Sequence, residues 1–207
     1  MIAHIVCGSP NLWLPEHLEG YIVGVDRGAL KLVENNIDFD VAIGDFDSVN
    51  RDEKIAIKNK AGQFVELAAE KDMTDCEAAI EYTVANGWKE IYLYGATGGR
   101  LDHQLAVIAL MLKYAKQGIQ IYMVDAQNKL FVLLPGMHGI KVENKRYLSF
   151  FALERSVRAL TLTGVKYPLD CYDLTVDDAR CVSNEAITKK VGISFGIGYL
   201  LVVQSSD

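Results

Sequence analysis

Glu90-Ile-Tyr-Leu-Tyr-Gly-Ala-Thr-Gly-Gly-Arg-Leu-Asp-His103 passes from a β-branched and aromatic run, through a glycine-rich turn, into a stretch of helical period. The pattern predicts a strand over 90–94 and a helix over about 101–117. That helix carries Leu105, Val107, Ile108, Leu110, Met111 and Leu112, so it is apolar on nearly every side. Such a helix is expected to be buried on more than one face. Working outward, similar short runs occur at 2–7, 21–25, 41–44, 63–67 and 120–124, with helices expected in the intervals. Strands alternating with helices predict βαβ units and a mostly parallel, Rossmann-like sheet.

A second helix is expected from Thr74. Thr74-Asp-Cys-Glu77 fits a capping box, Cys76, Ala79, Ile80, Thr83 and Val84 form one mainly apolar stripe, and Asn86-Gly87 ends it. Beyond Asp125 the pattern changes to short alternating segments at 129–134, 140–143, 147–153, 157–162, 191–194 and 199–203. These predict an antiparallel, β-sandwich-like domain. The expected organisation is therefore α/β over 1–126 and all-β over 127–207, with no internal repeat or low-complexity linker between them.

The chain has 207 residues, of which 50% are hydrophobic, and a formal net charge of -6. That supports a packed core and argues against a broad nucleic-acid or membrane surface, which needs clustered Lys and Arg. No run is apolar enough to span a bilayer and no export signal opens the chain, so a cytoplasmic location is expected. Cys7, Cys76, Cys171 and Cys181 are widely spaced and are expected to be reduced and mostly buried. An anionic ligand would need metal ions or a few local cations.

The acidic residues fall where such help is useful. Asp26 follows the second expected strand, Asp45 and Asp47 the third, Asp72 and Asp75 the fourth, and Gly98, Gly99, Arg100 and Asp102 the fifth. In a parallel sheet all these turns share the carboxyl edge, where open α/β sheets bind ligands. Carboxylates gathered there suit a hard cation such as Mg²⁺ or Mn²⁺. Within Gly44-Asp-Phe-Asp-Ser48, residues i and i+2 could face one ion, or could make only local Asx hydrogen bonds. Thr74 and Asp75 suit a helix start as well as a site. The Gly95 to Arg100 turn allows backbone N–H groups to approach phosphate, and Arg100 adds a fork of donors. There is no G-x-x-x-x-G-K-[ST] and no G-x-G-x-x-G after the first strand, which argues against a P-loop enzyme or a dinucleotide dehydrogenase.

Taken in order, Gly44-Asp-Phe-Asp-Ser48, Asp72-Met-Thr-Asp75 and Gly98-Gly-Arg-Leu-Asp-His103 resemble the motifs of the thiamine pyrophosphokinase family. Gly164-Val-Lys-Tyr-Pro-Leu169 and Val182-Ser-Asn-Glu185 resemble its β-domain motifs, so the likeness covers nearly the whole chain. The resemblance implies transfer of pyrophosphate from ATP to the hydroxyl of thiamine, with Mg²⁺, in a homodimer whose active sites are shared between subunits. It implies that Asp45, Asp47, Asp75 and Asp102 handle metal and phosphate, with Arg100 catalytic. Asp26, Ser48, Lys71, Thr74, Gly98, Gly99, Arg100 and His103 would lie along ATP. Asp102, Gln104, Ser183 and Asn184 would contact thiamine. The chain departs from the family in having Val107 where an Asn is common, and no aromatic residue lies between Cys181 and Ile187.

Two other readings compete. Asp45-Phe-Asp47-Ser-Val49 also fits the D-x-D-x-[TV] of an aspartate-nucleophile phosphatase, with Asp45 as nucleophile. A nucleotide- or thiamine-binding regulator without turnover would keep the same pocket.

Overall fold

The computed structural model describes residues 2–70, 72–143 and 145–207. They fall into two compact units, 2–110 with 118–126, and 111–117 with 127–207.

In the first unit six strands form one parallel sheet: β1 (Ile2–Val6), β2 (Tyr21–Val25), β3 (Val41–Gly44), β4 (Gln63–Glu66), β5 (Glu90–Tyr94) and β6 (Gln120–Val124). Their order is β6-β5-β1-β2-β3-β4. The order departs in opposite directions from β1, which makes the carboxyl ends of β1 and β5 a topological switch point. Ala3, Ile5, Val6, Val23, Val41, Ile43, Ile91 and Leu93 are buried, giving the near-continuous apolar strands of a sheet covered on both faces. Helices α1 (Arg27–Glu34), α2 (Arg51–Lys60), α3 (Asp75–Ala85) and α4 (Leu101–Ala115) follow β2, β3, β4 and β5. The interval between β1 and β2 was also expected to hold a helix. It is irregular instead, because Pro10 and Pro15 interrupt it, and Leu12, Leu14 and Leu18 pack onto the core from a loop.

Helix α3 starts as its sequence predicts, with the Thr74 hydroxyl accepting from the Glu77 N–H at 3.2 Å. The complete capping box belongs to α2, where Asn50 and Glu53 cap reciprocally. Helix α4 departs from expectation. Leu101 and Leu105, one turn apart, are 67% and 57% exposed, so its all-round apolarity is not matched by all-round burial.

The second unit holds two antiparallel sheets. One has the order β12-β9-β14-β7, from β7 (Asn128–Leu133), β9 (Tyr147–Ala152), β12 (Asn184–Glu185) and β14 (Leu200–Ser205). The other has the order β11-β10-β13-β8, from β8 (Gly136–Lys141), β10 (Ser156–Thr163), β11 (Leu169–Thr175) and β13 (Lys190–Phe195). Leu148, Phe150, Leu160, Leu162, Leu174, Val191 and Val202 fill the core. The fold class is thus α/β followed by antiparallel β. Strand β8 starts four residues before its expected position, at Gly136. Strands β11 and β12 carry too little alternation to be read from sequence. The first is a sheet edge with Leu174 alone buried, and the second is two residues long.

Candidate active site

The site is built from turns at the carboxyl edge of the parallel sheet. Asp26 ends β2 with φ of 45°, and its N–H donates to the Ile43 carbonyl at 3.1 Å. Its carboxylate does not cap α1. It accepts instead from the Phe46 N–H at 3.0 Å. Gly44 makes this possible: a Cβ there would come within 1.9 Å of Asp26 Oδ1, and its φ is 152°. Phe46 is buried, with φ of 58°, and stacks on Phe64 at 4.5 Å between ring centroids. Burying that ring turns the backbone inward, so Asp45 and Asp47 are not related as alternate residues of an extended chain. Asp45 is half-buried while Asp47 is exposed, and the Asp47 N–H donates to Asp45 Oδ1 at 3.1 Å. The local Asx bond and the clustered carboxylate therefore occur together.

Asp75 opens α3. Among the described residues, Asp26, Asp45 and Asp75 each offer a carboxylate oxygen, and these oxygens lie within 4.8 Å of one another. Asp45 and Asp75 were expected as metal residues, whereas Asp26 was assigned to ATP alone. Asp47 and Asp102, also expected to hold metal, stand outside this group of three. Its electrostatics are unfavourable without a cation. Burial pushes the Asp26 carboxyl up to about 7, with the charges of Asp75, Asp45 and Asp47 adding and the Phe46 N–H opposing. Three hard oxygen donors with crowded negative charge fit Mg²⁺ or Mn²⁺. Beside them the Cys7 thiol contacts the Cys76 thiol, and that contact, burial and the Asp26 and Asp75 charges push its pKa upward. All four cysteines are free, as expected, but Cys171 is exposed and Cys181 alone is fully buried.

Across the switch point lies the glycine turn. Gly95 is held against β1, where a Cβ would meet the Cys7 carbonyl oxygen at 2.2 Å. The Ser9 hydroxyl donates to the Thr97 carbonyl at 2.6 Å, and the Thr97 hydroxyl donates to Asp125 Oδ2 at 2.6 Å. These three residues brace the turn from β1 and β6 and were missed in the sequence. The available signal was that Ser9 and Asp125 follow those two strands. Gly98, Gly99 and Arg100 are exposed. Arg100 grips Asp102 through two bonds, Nε to Oδ1 at 3.1 Å and Nη2 to Oδ2 at 2.5 Å. The Arg100 hydrogen bond holds the Asp102 carboxyl below the usual carboxylate range. Asp102 and His103 are exposed and Gln104 half-buried; Ser48 and Thr74 are exposed. Lys71, expected along ATP, lies outside the described residues.

Ser183 and Asn184 belong to the second unit. Ser183 is exposed, with φ of 58°, and its N–H donates to the Ser149 hydroxyl at 3.0 Å. Asn184 is only 4% exposed. Its Oδ1 accepts from the Tyr167 N–H at 3.0 Å and the Glu185 N–H at 2.9 Å, and its Nδ2 donates to the Tyr167 carbonyl at 2.8 Å.

Two family models match, described as the catalytic domain of thiamin pyrophosphokinase over residues 16–123 and its vitamin B1 binding domain over 137–200. The chain belongs to the thiamin pyrophosphokinase family. The thiamine pyrophosphokinase of Bacillus subtilis is 38% identical over 99% of this chain and 98% of its own length. Among solved structures, a family protein from Enterococcus faecalis superposes with a TM-score of 0.93 at 34% identity, covering 100% of both chains. The thiamin pyrophosphokinase from Geobacillus thermodenitrificans gives 0.89 at 38% identity, covering 100% of this chain and 98% of its own. Asp26, Asp45, Asp75 and Asp102 fall within the segment matched by the family's catalytic domain. Ser183 and Asn184 fall within its vitamin B1 binding domain.

Proposed function

We propose that this chain transfers the terminal pyrophosphoryl group of ATP to the hydroxyl of thiamine, yielding thiamine diphosphate, AMP and a proton. The observation that carries the reading is the Asp26, Asp45 and Asp75 cluster at the carboxyl edge, in a chain matched by both family domains. It displaces the phosphatase reading, which uses Asp45 and Asp47 but leaves Asp26, Asp75 and the glycine turn without work.

Asp26, Asp45 and Asp75 would hold Mg²⁺ or Mn²⁺, with Asp47 at the rim. The ion supplies neutralisation of the phosphate oxygens where charge develops. The chain's own residues do the positioning on which phosphoryl chemistry chiefly depends. The N–H groups of the exposed Gly98 and Gly99 would receive phosphate oxygens, with Ser48, Thr74 and His103 along the nucleotide and Lys71 given the same role by the family motif alone. Arg100 presents its fork to the transferred group. Asp102, kept ionised by Arg100, orients the thiamine hydroxyl and accepts its proton. Gln104 and Ser183 contact thiamine.

Leu101 and Leu105 flank Asp102 with an exposed apolar face. We assign that face to a second copy of the chain, in a homodimer whose sites are shared. No helix among the described residues is long and apolar enough to cross a membrane. A cytoplasmic location accords with the use of ATP and Mg²⁺.

Chromatographic measurement of thiamine diphosphate from ATP, Mg²⁺ and thiamine tests the reading. Product is expected with Mg²⁺ or Mn²⁺ and none in excess chelator. Absence of product with metal contradicts the function, and full turnover in chelator contradicts the role given to the carboxylates.

A further inference from the structure

Thr97, inside the glycine turn, is tied from two sides. Its carbonyl accepts from the Ser9 hydroxyl at 2.6 Å, and its own hydroxyl donates to Asp125 Oδ2 at 2.6 Å. Ser9 lies just past β1 and Asp125 just past β6, so the anchors come from the strands on either side of β5. Ser9 is 8% exposed, and its Oγ also accepts from the Asn11 N–H at 3.4 Å, which holds the hydroxyl in place.

A peptide group is planar and trans, so the Thr97 carbonyl and the Gly98 N–H point in opposite directions. With the carbonyl turned to Ser9, the Gly98 N–H is turned away from it, and that N–H takes no backbone partner among the described residues. Gly98 itself is exposed, with φ of 74°, a conformation that glycine adopts freely. The same freedom is a weakness. Because glycine accepts either sign of φ, the peptide before it can turn over at little steric cost. The turned form would offer a carbonyl oxygen where an N–H had stood, and an N–H is what receives an anion. Two bonds oppose this. Turning the peptide over takes the carbonyl from Ser9 and leaves a buried hydroxyl without its acceptor, which is costly. The bond to Asp125 holds the Thr97 side chain, and with it the Cα about which the peptide would turn.

We infer that Ser9 and Asp125 are positioning residues for the polyphosphate of ATP, which lock the Thr97–Gly98 peptide with its N–H outward. This inference rests on the proposed function. It gives the orientation of the turn to two residues that lie outside both the acidic cluster and the glycine motif.

Steady-state kinetics on Ser9→Ala, Thr97→Val and Thr97→Ser test it, with ATP and thiamine varied separately. Ser9→Ala and Thr97→Val should each raise the KM for ATP about tenfold, as loss of one hydrogen bond to a charged group predicts, with the KM for thiamine within about twofold of wild type. Thr97→Ser keeps the hydroxyl and should stay near wild type. A second readout is independent of turnover. In protein carrying isotope-labelled glycine, the NMR signal of the Gly98 amide proton should move downfield when inorganic pyrophosphate is added with Mg²⁺, and this movement should be lost in Ser9→Ala. Melting temperatures set the assay temperature well below unfolding for each variant. If Ser9→Ala does not fold, Thr97→Val carries the same test, since it cuts the link to Asp125 and leaves Ser9 in place. An unchanged KM for ATP, an equal rise in both KM values, Thr97→Ser as damaged as Thr97→Val, or a Gly98 amide that pyrophosphate leaves unmoved in wild type overturns the inference. Wild type that makes no thiamine diphosphate yet shows the Gly98 shift overturns the functional reading alone; active wild type with an unaffected Ser9→Ala overturns the inference alone.

Discussion

Asp26 is where backbone and electrostatics meet. Its carboxyl ionises near 7 in the folded chain, against an ordinary value of 3.8. The stability it contributes is fully present below 3.8 and lost as pH rises through about 7, because the folded chain then gives up a proton the unfolded chain released earlier. A divalent cation binds the ionised form. Affinity for Mg²⁺ should therefore rise about tenfold per pH unit below 7 and level off above it, with about one proton released. Calorimetric titrations of Mg²⁺ at pH 6 and 8 check this, and pH-independent binding would contradict it. Gly44→Ala puts a methyl group into the Asp26 carboxylate. It should cost about 1–3 kcal/mol by denaturant unfolding and weaken Mg²⁺ binding. The sequence showed Asp45 and Asp75 as site residues through their motifs. It placed Asp26 at the same sheet edge but gave it to ATP and not to the metal group, because its approach to Asp45 depends on the left-handed Phe46 turn, and the burial that forces the turn is a property of the folded core.

Elements were legible where one physical signal dominated. Buried parallel strands announce themselves by apolar runs, and β2, β3, β5 and β6 fall at the expected residues. Strand β11 did not, because an edge strand needs no buried face, and β12 exists only through its pairing with β9. Helix α4 shows the limit of reading burial from composition: Leu101 and Leu105 are as apolar as Leu110, yet exposed. The two capped helices separate stability from function. Asn50→Ala should cost about 1 kcal/mol by removing the α2 cap, with activity kept. Thr74→Ala should cost about as much and also weaken Mg²⁺ binding, because α3 begins at Asp75. Equal activity in both variants would detach the α3 cap from the site.

For the whole molecule, the division into an α/β part and a β part was visible as a change of period near Asp125. That residues 111–117 group with the second unit was not, since those residues continue one helical pattern. The proposed shared sites predict complementation. An Asp102→Asn chain co-expressed with an Asn184→Ala chain, assayed at a thiamine concentration where each variant alone is nearly inactive, should give a heterodimer with about half of wild-type turnover, one site holding both lesions and the other none. An inactive heterodimer of confirmed assembly would contradict sharing. The central claim is attack on the β-phosphorus of ATP, and the nucleotide left behind tests it most directly. Chromatography of the reaction with ATP, Mg²⁺ and thiamine should show AMP formed one for one with thiamine diphosphate; ADP accumulating in step with thiamine monophosphate would contradict the account.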